Sequence, residues 1–279
     1  MLLEGRLPAE KILANVKKGV LQLGFSPGLA IIRVGEDPAS KTYVVTKLRR
    51  AQECGISGKE YSLSATTPEK KIMDLIRRLN KDRKTHGIIV QLPLPSHFNS
   101  DRMLNAISPD KDVDGLHPVN MGRLLQGNPH FVPATPQGIM EMFQFYKIPV
   151  AGKNAVVVGR SAIVGKPMAA LLLNADATVE VCHSKTRSLA EHTRRAEILV
   201  AAVGKPHFIT SDMVKEGAVV IDVGINRTDG KIVGDVDFEK VSGKAGAITP
   251  VPGGVGLLTV ACLMKNVLKA AGNRTAAAL

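Results

Sequence analysis

The chain has 279 residues, enough for one large domain or two ordinary domains with buried cores. Its formal net charge of +12 favours anionic partners, which include phosphates, polycarboxylates, nucleic acid and an anionic membrane surface. Nucleic acid is disfavoured because the chain has no Trp, and its few aromatic residues do not alternate with the basic runs.

The sequence predicts a cytoplasmic protein without a membrane partner. The apolar run at 255–264 is too short to cross a bilayer, and Glu4 and Arg6 interrupt the early apolar residues, so no signal peptide is expected. The three cysteines form no CxxC pair, and the seven histidines form no pair or triad with metal-ligand spacing. We therefore predict cysteines that fill cores and no metal site.

Strands and helices alternate through the first third of the chain, which predicts an α/β domain. Apolar periodicity indicates helices at 8–23, 41–54, about 68–79 and 101–107, and strands at 29–34, 60–63 and 87–92. Ser40 is expected to cap the second helix, and Gly55 to follow its end. Thr66 and Glu69 are expected to form a capping box on the third helix. The basic run at 77–84 is interpreted as a solvated helix face.

Four polar residues of this region stand where an apolar or unremarkable residue is expected. Tyr43 and Lys47 are four residues apart on one helix, Gln91 interrupts an apolar strand at its carboxyl end, and Asp114 precedes Gly115 in a turn. Each alone has an ordinary structural explanation. Together, near the ends of parallel strands, they indicate a functional site.

A connector at 122–136 and a helix at 137–146 lead to a second α/β region. A buried strand at 155–158 ends at Gly159, a helix covers 168–174, and a second strand covers 178–182. The turn between them has Gly-x5-Gly spacing from Gly159 to Gly165, and Ser161 stands where a G-x-G-x-x-G turn has its middle glycine. Such a turn is either purely structural or a cradle for a pyrophosphate at a helix N-terminus.

The end of the second strand favours NADP over NAD as the cofactor. A site for NAD has a carboxylate there for the ribose hydroxyl, whereas a site for the phosphorylated cofactor has cations and donors. The residues at this place are His183, Ser184, Lys185 and Arg187, with Arg160 on the first turn.

The remaining sequence predicts further strands at 198–203 and 219–225, and a hairpin between 226 and 233 that turns at Gly230. A second glycine turn covers 248–256. A final amphipathic helix reaches about residue 271 and is expected to pack on the first domain. Leu2 and Leu3 are a candidate short strand.

Five sequence blocks together resemble the bifunctional methylenetetrahydrofolate dehydrogenase/methenyltetrahydrofolate cyclohydrolase family over nearly the whole chain. They are ASKTYVVTK (39–47), GIIVQLPLP (87–95), KDVDG (111–115), VGRSAIVGKP (158–167) and TPVPGGVG (249–256). The resemblance implies a two-domain α/β fold. Residues 1–132 would form an N-terminal folate-binding catalytic domain, completed by a C-terminal helix at 252–279. Residues 133–251 would form a Rossmann-type NADP-binding domain with a mainly parallel sheet.

The same resemblance implies two linked reactions: oxidation of 5,10-methylenetetrahydrofolate with NADP, and hydrolysis of the methenyl product to 10-formyltetrahydrofolate. Lys47 matches the family's catalytic lysine, with Tyr43 and Gln91 as supporting residues, and Asp114 matches its pterin anchor. The implied substrate-binding residues are Tyr43, Lys47, Val90, Gln91, Leu92, Asp114, Pro252, Gly253, Gly254, Val255 and Gly256. The implied cofactor-binding residues are Gly159, Arg160, Ser161, Ile163, Gly165, His183, Ser184 and Ile225.

The implied setting is cytoplasmic one-carbon metabolism that serves purine biosynthesis, with a homodimer joined through the cofactor domain. The positive charge suits a polyglutamylated, anionic folate. Two positions depart from the family pattern: Ala134 replaces a cysteine, and Leu257-Leu258 replaces Pro-Met beside the folate pocket. The altered pocket leaves open the same fold with only one of the activities, and the basic charge leaves open a non-enzymatic nucleotide-binding or RNA-binding module.

Overall fold

The structure, a computed structural model, describes residues 1–276. Its helices are α1 (Arg6–Leu23), α2 (Pro38–Glu53), α3 (Glu69–Lys81), α4 (Ser100–Leu104), α5 (Pro118–Leu125), α6 (Ala134–Phe145), α7 (Gly165–Asn174), α8 (Leu189–Thr193), α9 (Phe238–Ser242) and α10 (Val255–Ala276). Its strands are β1 (Gly28–Val34), β2 (Ser57–Leu63), β3 (Thr85–Val90), β4 (Asn154–Val158), β5 (Thr178–Cys182), β6 (Ile198–Ala201), β7 (Val219–Asp222), β8 (Asn226–Thr228), β9 (Lys231–Val233) and β10 (Ala247–Ile248). Short 3-10 helices cover Pro109–Lys111 and Ser211–Met213.

The chain folds into two compact units. One, which we term the three-stranded unit, comprises residues 10–123, 129–134 and 260 onward. The other, termed the five-stranded unit, comprises residues 1–9, 124–128 and 135–259. Each unit is built from separate stretches of the chain.

The three-stranded unit contains a parallel sheet with strand order β2-β1-β3. Its central strand β1 is buried over almost its whole length, as the apolar sequence predicts for a strand covered on both faces. Helix α3 buries its apolar face, which carries Ile72, Leu75, Ile76 and Leu79, on this sheet. The carboxyl ends of β1 and β3 lie side by side, because Gln91 N donates to Ile32 O at 2.8 Å.

The five-stranded unit contains a parallel sheet with strand order β10-β7-β6-β4-β5. The chain passes from β4 to β5 on one side and then returns to β6 on the other side of β4. The strand order therefore reverses at β4, and in open parallel sheets ligands bind at such a reversal. The predicted hairpin is present as β8 and β9. Leu2 forms a parallel bridge with Ile248 beside β10, so the short strand expected at the N-terminus consists of one bridge.

Several predicted helix ends are wrong. The side chain that caps α2 belongs to Asp37, which accepts from Ser40 N at 2.7 Å, so α2 begins three residues before the predicted start. The capping box on α3 does not form, because the helix begins after Pro68 without a side-chain cap. Gly55 follows α2 with φ of 77°, as predicted for the residue after a helix end.

Helix α10 extends beyond the predicted end near residue 271. By length and composition, its segment Val255–Asn273 could cross a membrane, yet 61% of the most apolar part of that segment is buried inside the protein. Leu258, Leu263 and Val267 are fully buried. We therefore interpret α10 as a core helix. As predicted, it packs on the first domain, through residues that belong to the three-stranded unit.

Candidate active site

Lys47 is held in a buried position beside the carboxyl end of β3. Only 8% of the residue is exposed, and lysine is rarely buried without a partner. Its Nζ donates to Gln91 Oε1 at 3.0 Å, and Gln91 Nε2 donates to Leu92 O at 2.8 Å. The Leu92 carbonyl can only accept a hydrogen bond, so it faces the Gln91 NH2 group and leaves the amide oxygen to the lysine. The structure thus brings together two of the predicted catalytic residues.

The same face of α2 carries Tyr43, one helical turn before Lys47 and half-buried. Ser40 lies three residues before Tyr43 and is buried, and its Oγ lies 3.5 Å from Leu92 O. Of the other predicted substrate-binding residues here, Val90 is buried and Leu92 is half-buried. The helix α2 and the chain after β3 are therefore linked by polar contacts of Ser40 and Lys47 with Leu92 and Gln91.

Asp114 lies in the loop after the 3-10 helix and is half-buried. The loop is fixed through its neighbours. Asp112 is 1% exposed, and its Oδ2 accepts from His117 N and Asn120 Nδ2, both at 2.8 Å. Burial raises the pKa of the Asp112 carboxyl, and the two hydrogen bonds oppose that rise.

Helix α10 holds the Asp114 loop from a second side. Asn266 is 3% exposed, and its Nδ2 donates to Val113 O at 2.8 Å and to Val132 O at 3.0 Å. Asn266 was not predicted as a functional residue. The sequence offered one signal for it: Asn266 stands within the apolar pattern of the last helix. An asparagine buried there needs hydrogen-bond partners, which indicates a structural or functional role.

The glycine turn after β4 depends on both of its glycines. Gly159 has φ of 128°, and a Cβ there would lie 2.2 Å from Ala202 O. A Cβ on Gly165 would lie 2.2 Å from Gly159 O. Ser161 Oγ accepts from Val164 N at 3.2 Å and Gly165 N at 3.3 Å, so this hydroxyl bonds two amides at the start of α7. Backbone packing requires the two glycines, whatever the turn binds.

The remaining predicted cofactor residues near β4 and β5 present side chains at the surface. Arg160, Ile163 and Ser184 are exposed, and His183 is half-buried. His183 N donates to Thr186 Oγ1 at 2.9 Å, which shapes the turn after β5. The residues at 183–187 include cations and hydroxyls and no carboxylate, so this donor set fits a phosphorylated ribose.

Asp235 joins the loops around Ile225, which follows β7 and is 49% exposed. The Asp235 carboxylate is fully buried and accepts from the backbone N–H groups of Val203, Gly204 and Lys205 at 2.6, 2.9 and 2.9 Å. It also accepts from Asn226 Nδ2 at 2.9 Å. One side chain therefore connects the loop after β6 to the hairpin that follows Ile225.

Asp222, at the end of β7, is a second buried carboxylate in the same region. It accepts from the backbone N–H groups of Gly224, Asp235 and Val236, each at 2.9 Å. Burial raises its pKa to about 6, and the three hydrogen bonds oppose that rise. The sequence patterns did not reveal Asp222 or Asp235, because most of their partners lie 9 to 32 residues away along the chain.

The segment at 252–256 precedes and opens α10. Pro252, Gly253 and Gly256 are exposed, whereas Gly254 and Val255 are buried. Gly253 has φ of 107°, and its carbonyl accepts from Gly5 N at 2.8 Å.

The two unusual leucines after this segment differ in exposure. Leu257 is 39% exposed, whereas Leu258 is fully buried. Leu258 packs so closely on Gly138 that a Cβ there would lie 2.7 Å from its own Cβ. Only Leu257 therefore changes the surface beside the segment at 252–256.

The predicted catalytic residues Lys47, Tyr43, Gln91 and Asp114 all belong to the three-stranded unit. All the predicted cofactor-binding residues, and the segment at 252–256, belong to the five-stranded unit. A parallel sheet that reverses its strand order at a glycine turn is the arrangement of dinucleotide-binding α/β proteins, and that is the class to which the five-stranded unit belongs.

Comparison with known proteins identifies the family. The family sequence model for the tetrahydrofolate dehydrogenase/cyclohydrolase catalytic domain matches residues 3–114. The family sequence model for the NAD(P)-binding domain of the same family matches residues 133–275. The chain belongs to the tetrahydrofolate dehydrogenase/cyclohydrolase family. This confirms the resemblance and the fold class predicted from the sequence.

Individual relatives agree over nearly the full length. The bifunctional protein FolD of Nautilia profundicola is 53% identical over 276 residues, which cover 98% of this chain and 97% of that protein. The crystal structure of the bifunctional dehydrogenase/cyclohydrolase FolD from Campylobacter jejuni has a TM-score of 0.96 and 49% identity, and covers 98% of this chain and 99% of its own. The Trypanosoma brucei enzyme, solved with NADP and an inhibitor, has a TM-score of 0.94 and 38% identity, and covers 99% of this chain and 98% of its own.

Proposed function

We propose that this protein oxidises 5,10-methylenetetrahydrofolate to 5,10-methenyltetrahydrofolate with NADP and then hydrolyses the product to 10-formyltetrahydrofolate. Family membership over nearly the whole chain supports both activities. The observation that carries the proposal is the buried Lys47 amine, held by an oriented amide at the end of a parallel strand.

The two steps make different demands on these residues. Loss of a hydride from the one-carbon bridge leaves a cation that is delocalised over two nitrogens, so the first step needs alignment more than an acid or base. NADP, when bound, supplies the hydride acceptor. The second step forms a bond between water and the methenyl carbon, and it needs a group that takes a proton.

We assign Lys47 as the group that takes this proton. Its unprotonated amine takes a proton from the attacking water as the carbon–oxygen bond forms. It then returns the proton to the ring nitrogen as the carbon–nitrogen bond breaks, while the remaining hydroxyl proton leaves to solvent, which yields the formyl product and one released proton. Gln91 accepts a hydrogen bond from Nζ and so fixes where the amine points, and Tyr43 supports the lysine from the same helix face.

The other predicted residues bind and orient. The Asp114 carboxylate accepts paired hydrogen bonds from the ring amide and amino group of the pterin. The segment at 252–256 offers backbone without large side chains, which suits a flat ligand. Gly159, Arg160, Ser161, Ile163, Gly165, His183, Ser184 and Ile225 are the residues that we assign to NADP. The donor set after β5 and the NADP complex of the Trypanosoma brucei relative support this assignment.

We extend the proposal to assembly and setting. A homodimer joined through the five-stranded unit is supported by β5, an edge strand whose Val181 is 38% exposed, because unpaired edges favour pairing with another chain. A net charge of +12 supports binding of a polyglutamylated folate. We place the enzyme in cytoplasmic one-carbon metabolism that serves purine biosynthesis. Sedimentation of the purified protein tests the dimer.

The activities are tested by two separate assays on the purified protein. Absorbance of reduced nicotinamide, followed with methylenetetrahydrofolate and either NADP or NAD, reports the dehydrogenase and its cofactor. Decay of added methenyltetrahydrofolate reports the cyclohydrolase. The alternative of a single activity is favoured only by the exposed Leu257, and it predicts that one of these assays gives no turnover.

Lys47→Met tests the assigned base, because it keeps a long side chain and removes the amine. We expect cyclohydrolase turnover to fall roughly 10²–10⁴-fold, the range for a lost general acid–base, with unchanged NADP binding. Arg49→Ala, which removes an exposed cation from the same helix, is the control and should keep full turnover. Full cyclohydrolase activity in Lys47→Met would remove Lys47 from this role.

A further inference from the structure

Three side chains with metal-ligating atoms converge beside the edge strand β5. Glu180 and Cys182 are two residues apart on the strand, so their side chains point to the same face of the sheet. His192 reaches them from α8. Their ligand atoms all lie within 4.8 Å of one another. The histidine is ten residues from Cys182 along the chain, and only the fold brings it close.

Two contacts orient the ring of His192. Its Nε2 lies 3.2 Å from Arg187 O, and a hydrogen on Nε2 would donate to that carbonyl. In the neutral ring, Nδ1 is then an acceptor. That nitrogen contacts Glu180 Oε1, a second acceptor. A proton between these two atoms accounts for the contact; a zinc-class ion that replaced the proton would hold the two atoms about 3 Å apart, as two ligands of one tetrahedral ion.

The arrangement around His192 is the one that metal-bound histidines use. Such a histidine donates its second ring N–H to a carbonyl or carboxylate, which fixes the ring and leaves the other nitrogen free for the metal. The Arg187 carbonyl has that position here. Cys182 supplies the third atom and is 1% exposed, whereas Glu180 is exposed in the single chain.

We propose that Glu180, Cys182 and His192 form a binding site for a divalent cation of the zinc class. Thiolate and imidazole select borderline ions such as Zn²⁺ over Mg²⁺ or Ca²⁺, which take oxygen ligands. Three protein ligands leave a fourth position for water. Binding releases the thiol proton, and the thiolate and the carboxylate then balance the charge of the ion. The competing explanation is an imidazolium–carboxylate ion pair with no metal.

The site goes beyond the proposed folate reactions, and its test needs neither folate nor NADP. Co²⁺ is the probe, because it takes the same ligands as Zn²⁺ and its bond to a thiolate gives an intense near-ultraviolet charge-transfer band. The metal-free, reduced full-length protein is titrated with Co²⁺ and then with Zn²⁺. We expect a band that saturates at one Co²⁺ per chain and disappears when Zn²⁺ displaces it.

Four variants identify the ligands. Cys182→Ser should abolish the band, and His192→Gln and Glu180→Gln should each weaken Co²⁺ binding at least tenfold. Cys54→Ser removes a buried thiol in the three-stranded unit and should leave the band unchanged. If Cys182→Ser fails to fold, the His192 and Glu180 variants still carry the test. A wild-type protein without the band, or a band that survives in His192→Gln and Glu180→Gln with unchanged affinity, would overturn the proposal.

Discussion

The asparagine of α10 offers a sharp test of how the Asp114 loop is positioned. Asn266→Ala removes two buried hydrogen bonds, to Val113 O and Val132 O, and leaves both carbonyls without that donor. Each buried acceptor that loses its partner costs roughly 1–2 kcal/mol, so the gross loss is about 2–4 kcal/mol. Alanine returns about 0.5 kcal/mol because it is the better helix former. The expected net loss in the free energy of unfolding is about 1.5–3.5 kcal/mol.

Urea denaturation followed by circular dichroism measures this loss. Asn273→Ala is the matched control, because Asn273 is exposed on the same helix and its replacement should raise stability by about 0.5 kcal/mol. Since Val113 directly precedes Asp114, Asn266→Ala should also raise the KM for the folate substrate more than it lowers kcat. A stability within about 0.5 kcal/mol of the Asn273→Ala protein would refute the energetic argument. An unchanged KM would limit Asn266 to a structural role.

Three further substitutions test the five-stranded unit. Arg160→Ala should weaken NADP binding roughly 10–100-fold and NAD binding little, because only NADP loses a charge-assisted hydrogen bond. Equal losses of affinity in titrations with the two cofactors would contradict the assignment of Arg160 to the 2′-phosphate. Gly159→Ala should lower both the melting temperature and NADP affinity, because the added Cβ would lie 2.2 Å from Ala202 O; a protein with wild-type values would show that the turn relaxes freely. Asp235→Asn should cost about 2–4 kcal/mol in denaturant unfolding, because an amide cannot accept all four of its hydrogen bonds, while Asp229→Asn in the exposed hairpin turn should stay within about 0.5 kcal/mol.

Long apolar patterns made most of the fold predictable. The buried strands β1, β3 and β4 each contain a run of three or more apolar residues, and the predicted ends lie within about two residues of the observed ends. The helices α8 and α9 were not predicted, because five residues carry too little periodicity to distinguish a helix from a loop.

Helix caps were less predictable than helix bodies. Asp37 and Ser40 are both good caps, and only the folded backbone decides that Asp37 accepts from Ser40 N. Pro68 shows the opposite limit: its presence marks the start of α3, while the capping box expected around it does not form.

The candidate site was predictable where a short pattern carries its chemistry. Tyr43 and Lys47 share a helix face by spacing alone, and Gln91 is recognisable as the polar end of an apolar strand. Asn266, Asp235 and His192 were not, because each acts on residues that only the tertiary fold places beside it. A single sequence can show that a polar residue such as Asn266 interrupts an apolar pattern, but it does not show which distant residue the side chain pairs with.

The division of the chain limits how the protein can be dissected. The three-stranded unit is assembled from residues 10–123, 129–134 and 260 onward. Any single fragment that contains all of these residues therefore also contains most of the five-stranded unit. A piece ending at residue 123 would keep β1, β2 and β3 yet lose the amide that bonds Val113 O. Separate expression of the two halves would therefore yield parts with exposed apolar surface and an unrestrained Asp114 loop. Two co-expressed fragments, produced by a cut where the chain crosses from one unit to the other, could reassemble.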